Sequence, residues 1–126
     1  MGAPNQTYQG TVSTLEAGTS NDLRFIGLTT PGITQDLIDY TVPASTTMAA
    51  LQVIVSCNEQ SKITITVDGT LIGSGRVGPG SPNFNFSWIP WKEVLTTEQF
   101  KVTFTQISSR PAVDVECYFQ NRLLSV

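Results

Sequence analysis

Hydrophobic and polar residues alternate with a period of two through the middle of the chain, in three runs between residues 48 and 88. Successive side chains of a β-strand point to opposite faces, so this period predicts strands with one buried face. The first run covers residues 48–57 and places four residues on one face, Leu51, Val53, Val55 and Cys57. Ile54 adds an apolar residue to the other face, which predicts a strand near the middle of a sheet.

The second run, residues 62–68, puts three apolar residues on one face, Ile63, Ile65 and Val67. Asp68 and Gly69 follow it, and this dipeptide suits a type I′ turn because both central positions need a positive φ. The sequence therefore predicts a hairpin whose second strand begins with residues 70–73.

The third run, residues 83–88, predicts a strand that buries three aromatic residues, Phe84, Phe86 and Trp88, as the densest part of the core. Between the second and third runs, residues 73–82 concentrate glycine and proline and are predicted to form a loop. A phosphate-binding loop needs a helix start and a Gly-Lys-Ser/Thr ending, and this segment has neither.

Four further segments have strand patterns, residues 22–27, 37–42, 100–105 and 113–119. The last two alternate cleanly and direct seven residues inward, Phe100, Val102, Phe104, Val113, Val115, Cys117 and Phe119. About eight short strands spaced by roughly ten residues are typical of a sandwich or barrel. We predict an antiparallel β-sandwich, with a jelly-roll topology favoured over an immunoglobulin-like one.

Residues 1–20 are polar and carry only a weak strand signal, so they are predicted to form an extended arm in front of a single sandwich domain, residues 21–126. Tyr8, Val12 and Leu15 are the main apolar residues of this arm. Ordering a residue costs about 1–2 kcal/mol of backbone entropy, which so few apolar side chains cannot offset. The arm is therefore expected to become ordered only against neighbouring subunits.

Charge narrows the range of partners. Only 13% of residues are charged, about half of the usual content, and the net charge is −3 without any run of lysine or arginine. A nucleic-acid partner is therefore not expected. The low charge suits surfaces that pack in assemblies, although neutral faces are also common on exposed strands. No apolar run is long enough for a membrane span, and the first residues lack a signal-peptide pattern, so folding in a cytoplasm is expected.

Candidate chemistry is limited, because the chain has no histidine to act as a general base. Two carboxylate pairs remain, Asp36 with Asp39 and Asp114 with Glu116, and both are interpreted as solvated strand residues rather than as a catalytic dyad or a calcium site. We predict no catalytic residue, no metal and no cofactor. The two cysteines, Cys57 and Cys117, fall on inward phases, and two buried free thiols are favoured over a disulfide bridge between them.

Trp91 follows Pro90 and is out of phase with the inward residues of the third run. It is either an exposed interface anchor or a loop residue that folds over the end of the sandwich.

Five segments resemble small β-sandwich proteins of tailed-bacteriophage virions, such as head decoration and tail accessory proteins. They are residues 42–47 (VPASTT), 67–72 (VDGTLI), 74–80 (SGRVGPG), the turn 95–99 and the strand start 102–104. The resemblance implies a non-enzymatic structural protein that folds in the host cytoplasm and is incorporated into the virion. Its implied partners are copies of itself and other virion proteins such as the major capsid protein.

The candidate interface of such a protein comprises arm and loop residues, namely Tyr8, Val12, Leu15, Arg76 and Trp91. An alternative function is a carbohydrate-binding or host-receptor-binding module. In that case Trp91, Tyr118 or Tyr40 would form a stacking platform for a host glycan.

Overall fold

The computed structural model of the protein describes residues 18–126, and this part of the chain contains nine β-strands and no helix. The strands are β1 (Thr19–Ser20), β2 (Leu23–Leu28), β3 (Thr34–Thr41), β4 (Thr46–Cys57), β5 (Ser61–Val67), β6 (Thr70–Val77), β7 (Asn83–Val94), β8 (Gln99–Gln106) and β9 (Asp114–Ser125). Thr19 and Ser20, the last residues of the predicted arm, belong to β1 and pair with β9.

The strands form two antiparallel sheets. In the first sheet, β1 and β2 both pair with β9, which is followed by β4 and β7. The second sheet has the order β3-β8-β5-β6. The chain changes sheet at most connections, and strands β2 to β9 supply four members to each sheet in the order of a jelly roll. The predicted β-sandwich and its jelly-roll topology are therefore confirmed.

The core lies between the sheets, and most of its residues were predicted from the alternation of apolar and polar residues. Twelve of the predicted inward residues are buried, namely Val53, Val55, Cys57, Ile63, Ile65, Val67, Phe100, Val102, Phe104, Val115, Cys117 and Phe119. The predicted hairpin joins β5 to β6, with Asp68 at φ 48° and Gly69 at φ 81°. Both values are positive, as a type I′ turn requires.

Strand β4 lies between β9 and β7, as the apolar Ile54 indicated. The prediction for Leu51 is wrong, because the register shifts between Ala50 and Gln52. Such a bulge inserts one residue into the strand and reverses the phase on its far side. Met48 and Ala50 therefore join the core, whereas Leu51 is only half-buried.

The predicted loop at residues 73–82 is wrong in its first half, because β6 continues to Val77. A Cβ atom on Gly75 would lie 2.2 Å from the ring of Phe84, and one on Gly73 would lie 3.1 Å from the ring of Phe86. Glycine inside a strand often marks such a close approach. These two glycines make room for aromatic rings from the facing sheet.

The aromatic residues of β7 are less buried than the sequence predicted, because β7 is an edge strand. Phe84, Phe86 and Trp88 are half-buried and pack against the core. Their ring contacts continue inward from Trp88 to Phe100, whose centroid is 6.1 Å away, and from Phe100 to Phe119. The fully buried aromatic residues therefore lie on β8 and β9 rather than on β7.

Both cysteines are buried free thiols, as predicted. Burial raises the pKa of Cys117 to about 12, because the thiolate would lose its hydration. The thiolate is the reactive form. We therefore expect Cys117 to resist alkylation at pH 8 in the folded protein and to react rapidly in urea, as measured by intact-protein mass spectrometry. Equal labelling rates in the two states would contradict its burial.

Candidate interaction surface

The predicted interface residues have three different outcomes. Tyr8, Val12 and Leu15 lie outside the described residues. Arg76 is exposed on β6 rather than in a loop, and it lies opposite Lys62 in the β5–β6 register. Trp91 lies within β7 and is only 7% exposed.

The position of Trp91 follows from the irregular pairing of β7 with β4. Ser87 of β7 pairs with Gln52, and Lys92 pairs with Ala50, so residues 88–91 lie opposite Leu51 alone. The third run thus continues as a strand through an irregular segment to Val94 instead of ending at Trp88. The prediction of an outward-facing Trp91 is wrong, as is that of a loop residue.

A more exposed apolar surface lies at the other edge of the first sheet. On β2, Ile26 is 66% exposed and Leu28 is 60% exposed, although both belong to a regular strand. Their side chains lie on the outer face, because Leu23 and Phe25 of the opposite phase pack against the core. The sequence predicted this strand but did not identify these two residues.

Charged and aromatic groups lie beside them on the same outer face. The guanidinium carbon of Arg24 is 5.4 Å from the centroid of the Tyr118 ring, and the Tyr118 hydroxyl donates a 2.7 Å hydrogen bond to Asp22. That hydrogen bond is the main cause that raises the pKa of Tyr118, since ionisation would remove it and place two negative charges together. This cluster holds the Tyr118 ring in place.

Of the three predicted glycan-stacking residues, only Tyr118 remains as a candidate. Tyr40 packs against the core from β3, and Trp91 is buried. Tyr118 lines an open depression with Arg24, Ile54 and other residues of the outer face. Arg24 already covers part of the ring, which reduces the surface available for stacking.

The two carboxylate pairs lie on exposed strand faces. Asp36 forms a 3.6 Å ion pair with Lys101, and Asp39 accepts a 2.7 Å hydrogen bond from Gln99. Asp114 and Glu116 line an open depression together with Asn83. Among residues 18–126, no three histidine, cysteine or carboxylate side chains are placed to hold a metal ion.

The outer face of the second sheet is rich in threonine. The hydroxyls of Thr34 and Thr105 are 2.7 Å apart, and Thr64 and Thr103 form a similar pair. Cross-strand hydroxyl pairs of this kind stabilise a sheet. Charged side chains are interspersed with these hydroxyls, among them Asp36, Lys62 and Lys101.

No protein-family model and no curated protein sequence matches this chain. The part of the chain that the structure describes has no helix able to cross a bilayer.

Proposed function

We propose that the protein is a non-enzymatic structural component of a phage virion, either a capsid decoration protein or a tail accessory protein. It would assemble with copies of itself and with other virion proteins such as the major capsid protein. Jelly rolls occur in viral capsid proteins and also in lectins, so the fold is compatible with this function without specifying it.

The observation that carries the proposal is the exposed apolar pair on β2. Two large aliphatic side chains, Ile26 and Leu28, are exposed by more than half on neighbouring positions of a sheet face. Contiguous exposed apolar residues with a polar rim are typical of protein contact sites. Arg24, Asp114 and Glu116 supply such a rim, because they neighbour the apolar pair in the β2–β9 register. A structural role in an assembly uses such a surface.

The test is incorporation into particles. We expect the tagged full-length protein to co-sediment with phage particles in a density gradient, and a variant lacking residues 2–17 to be lost from them. Residues 18–126 contain all nine strands described above, so the truncated protein should keep the melting transition of the full chain. The shared melting transition is the control for folding. Absence of the full-length protein from particles would overturn the proposal, and normal incorporation of the truncated protein would overturn the role of the arm.

A host-glycan-binding module is the alternative, and the position of Tyr118 on the outer face favours it. Gln52 and Gln120 lie in the next row of that face and are joined by a 3.0 Å hydrogen bond, so amide groups are close to the ring. A glycan array that gives a signal with the native protein and with Tyr118→Phe, but not with Tyr118→Ala, would support stacking on this ring. The conservative variant separates stacking from the hydroxyl contact with Asp22.

A further inference from the structure

The backbone of β2 has hydrogen-bonding groups on its free side. Thr29 donates a 2.8 Å bond to the carbonyl of Val113, which fixes the phase of the β2–β9 ladder. Bonding alternates along an antiparallel strand, so the odd-numbered residues of β2 bond to β9. The even-numbered residues direct their N–H and C=O groups away from β9, and they are Arg24, Ile26 and Leu28.

Part of this edge is already occupied. The carbonyl of Leu28 accepts a 3.3 Å hydrogen bond from the side chain of Gln35. Within residues 18–126, β2 pairs with β9 alone. Two residues, Arg24 and Ile26, thus present two donors and two acceptors at the open edge of the first sheet.

The other three sheet edges contain a proline or a register shift, whereas β2 does not. Strand β7 contains Pro90, and β3 has a register shift between Asp36 and Ile38. Strand β6 also has an irregular register against β5. Prolines and bulges at edges prevent further strand addition. Strand β2 has neither, and its pairing with β9 is regular over six residues.

We propose that β2 pairs antiparallel with β2 of a second copy about a two-fold axis at Phe25, which joins two first sheets into one continuous sheet. In this register Arg24 lies opposite the partner's Ile26, and the reverse holds by symmetry. The N–H and C=O groups of Arg24 and Ile26 in each copy then all form inter-chain hydrogen bonds. The carbonyl of Leu28, which already accepts from Gln35, is not needed. This contact is a property of the isolated chain and does not depend on the virion assignment.

Charge favours a second copy as the occupant of this edge. Within one copy, Glu116 of β9 lies directly opposite Ile26 of β2. In the joined sheet, a line drawn across the strands from Arg24 therefore passes through the partner's Ile26 and then reaches the partner's Glu116. Each copy contributes one positive and one negative group to matching rows on the outer face. The edge is therefore self-complementary, as a two-fold contact requires.

Amide exchange and solution mass together test this proposal on the full-length protein. We expect light scattering to give the mass of two chains at about 100 µM and of one chain on sufficient dilution, since a strand-edge contact of this size suits a micromolar affinity. In the dimer, NMR hydrogen exchange should show slow amides at Arg24 and Ile26, and both should become fast as the dimer dissociates. A monomer at every concentration would overturn the proposal. Slow exchange of both amides in the monomer would also overturn it, because the chain itself would then cover the edge.

Two sets of variants make the test specific. Ile26→Lys should raise the dimer dissociation constant by tenfold or more, about 1.4 kcal/mol, since a charge would be placed in the contact. Leu71→Lys is the matched control, because Leu71 is 58% exposed and lies on the distant edge strand β6. It should leave the constant unchanged. Equal effects of the two substitutions would overturn the proposal.

The second set reverses charges. Arg24→Glu and Glu116→Arg should each weaken the dimer, and the combined variant should recover most of the lost affinity. Failure of the combined variant to recover affinity, with its melting transition intact, would overturn the proposed register.

Discussion

Replacing Phe119 with alanine should lower the free energy of unfolding by about 3–5 kcal/mol, which combines the lost burial with the cost of the remaining cavity. Phe119 is fully buried on β9, and its ring stacks on Phe100 with a centroid distance of 4.1 Å and an interplanar angle of 4°. Strand β9 is fixed by pairing on both sides, so the surrounding backbone has little freedom to fill the cavity. Urea unfolding of Phe119→Ala and of the native chain measures the difference.

The matched control is Leu71→Ala, which removes an aliphatic side chain that is 58% exposed. Surface substitutions of this kind usually change stability by no more than about 0.5 kcal/mol. Both variants should be measured at low micromolar concentration, because self-association would add a concentration-dependent term. A loss below about 1 kcal/mol for Phe119→Ala would contradict the inward phase of β9.

That inward phase was predictable because it depends on local pattern alone. In residues 62–67, 100–105 and 113–117, apolar residues alternate with polar ones, and a strand with one buried face must place the apolar set toward the core. Phe104 and Val115 were identified in this way and are buried. The type I′ turn was predictable for a similar reason, since few dipeptides other than Asp68-Gly69 tolerate two positive φ values.

The errors occurred where conformation depends on a neighbour that the local sequence does not reveal. Leu51 is displaced by a bulge whose position is set by pairing with two other strands. Gly75 is in a glycine-rich segment that is typical of a loop, yet it lies in a strand. Its lack of a side chain leaves space for the Phe84 ring of the facing sheet. Trp91 is buried because β7 continues beyond Pro90, and a proline is tolerated there only because β7 is an edge strand.

The candidate interface has the same dependence on topology. Residues 22–27 were predicted as a strand, but only the strand order identifies β2 as an edge with an open side. The sequence does contain a signal, because Ile26 and Leu28 are apolar on the phase opposite to Leu23 and Phe25. Apolar residues on both phases indicate either a strand buried on both faces or one with an exposed apolar face. The sheet order distinguishes these two cases.

A buried polar cluster at one end of the sandwich gives the second large effect. Gln106 ends β8 on the inward phase and is fully buried. Its oxygen accepts a hydrogen bond from the Thr29 hydroxyl, and its nitrogen donates to Ser108 at 3.1 Å and to the carbonyl of Arg110 at 2.8 Å. The Thr29 oxygen in turn accepts a 2.9 Å bond from the amide of Val113. One amide thus connects the loop after β2 with the loop between β8 and β9.

Gln106→Leu keeps the approximate volume but removes the side-chain hydrogen bonds of Gln106. The Thr29 hydroxyl then has no acceptor for its hydrogen, although it still accepts from Val113, and the Arg110 carbonyl loses its donor. Each unsatisfied buried group costs about 1–3 kcal/mol, so urea unfolding should show a loss of about 2–4 kcal/mol. Thr29→Val removes the hydroxyl that Gln106→Leu leaves unsatisfied. The double variant should therefore lose less stability than the sum of the two single variants. Strict additivity would mean that Thr29 and Gln106 do not interact in solution, and a loss for Gln106→Leu below about 0.5 kcal/mol would place its side chain in water.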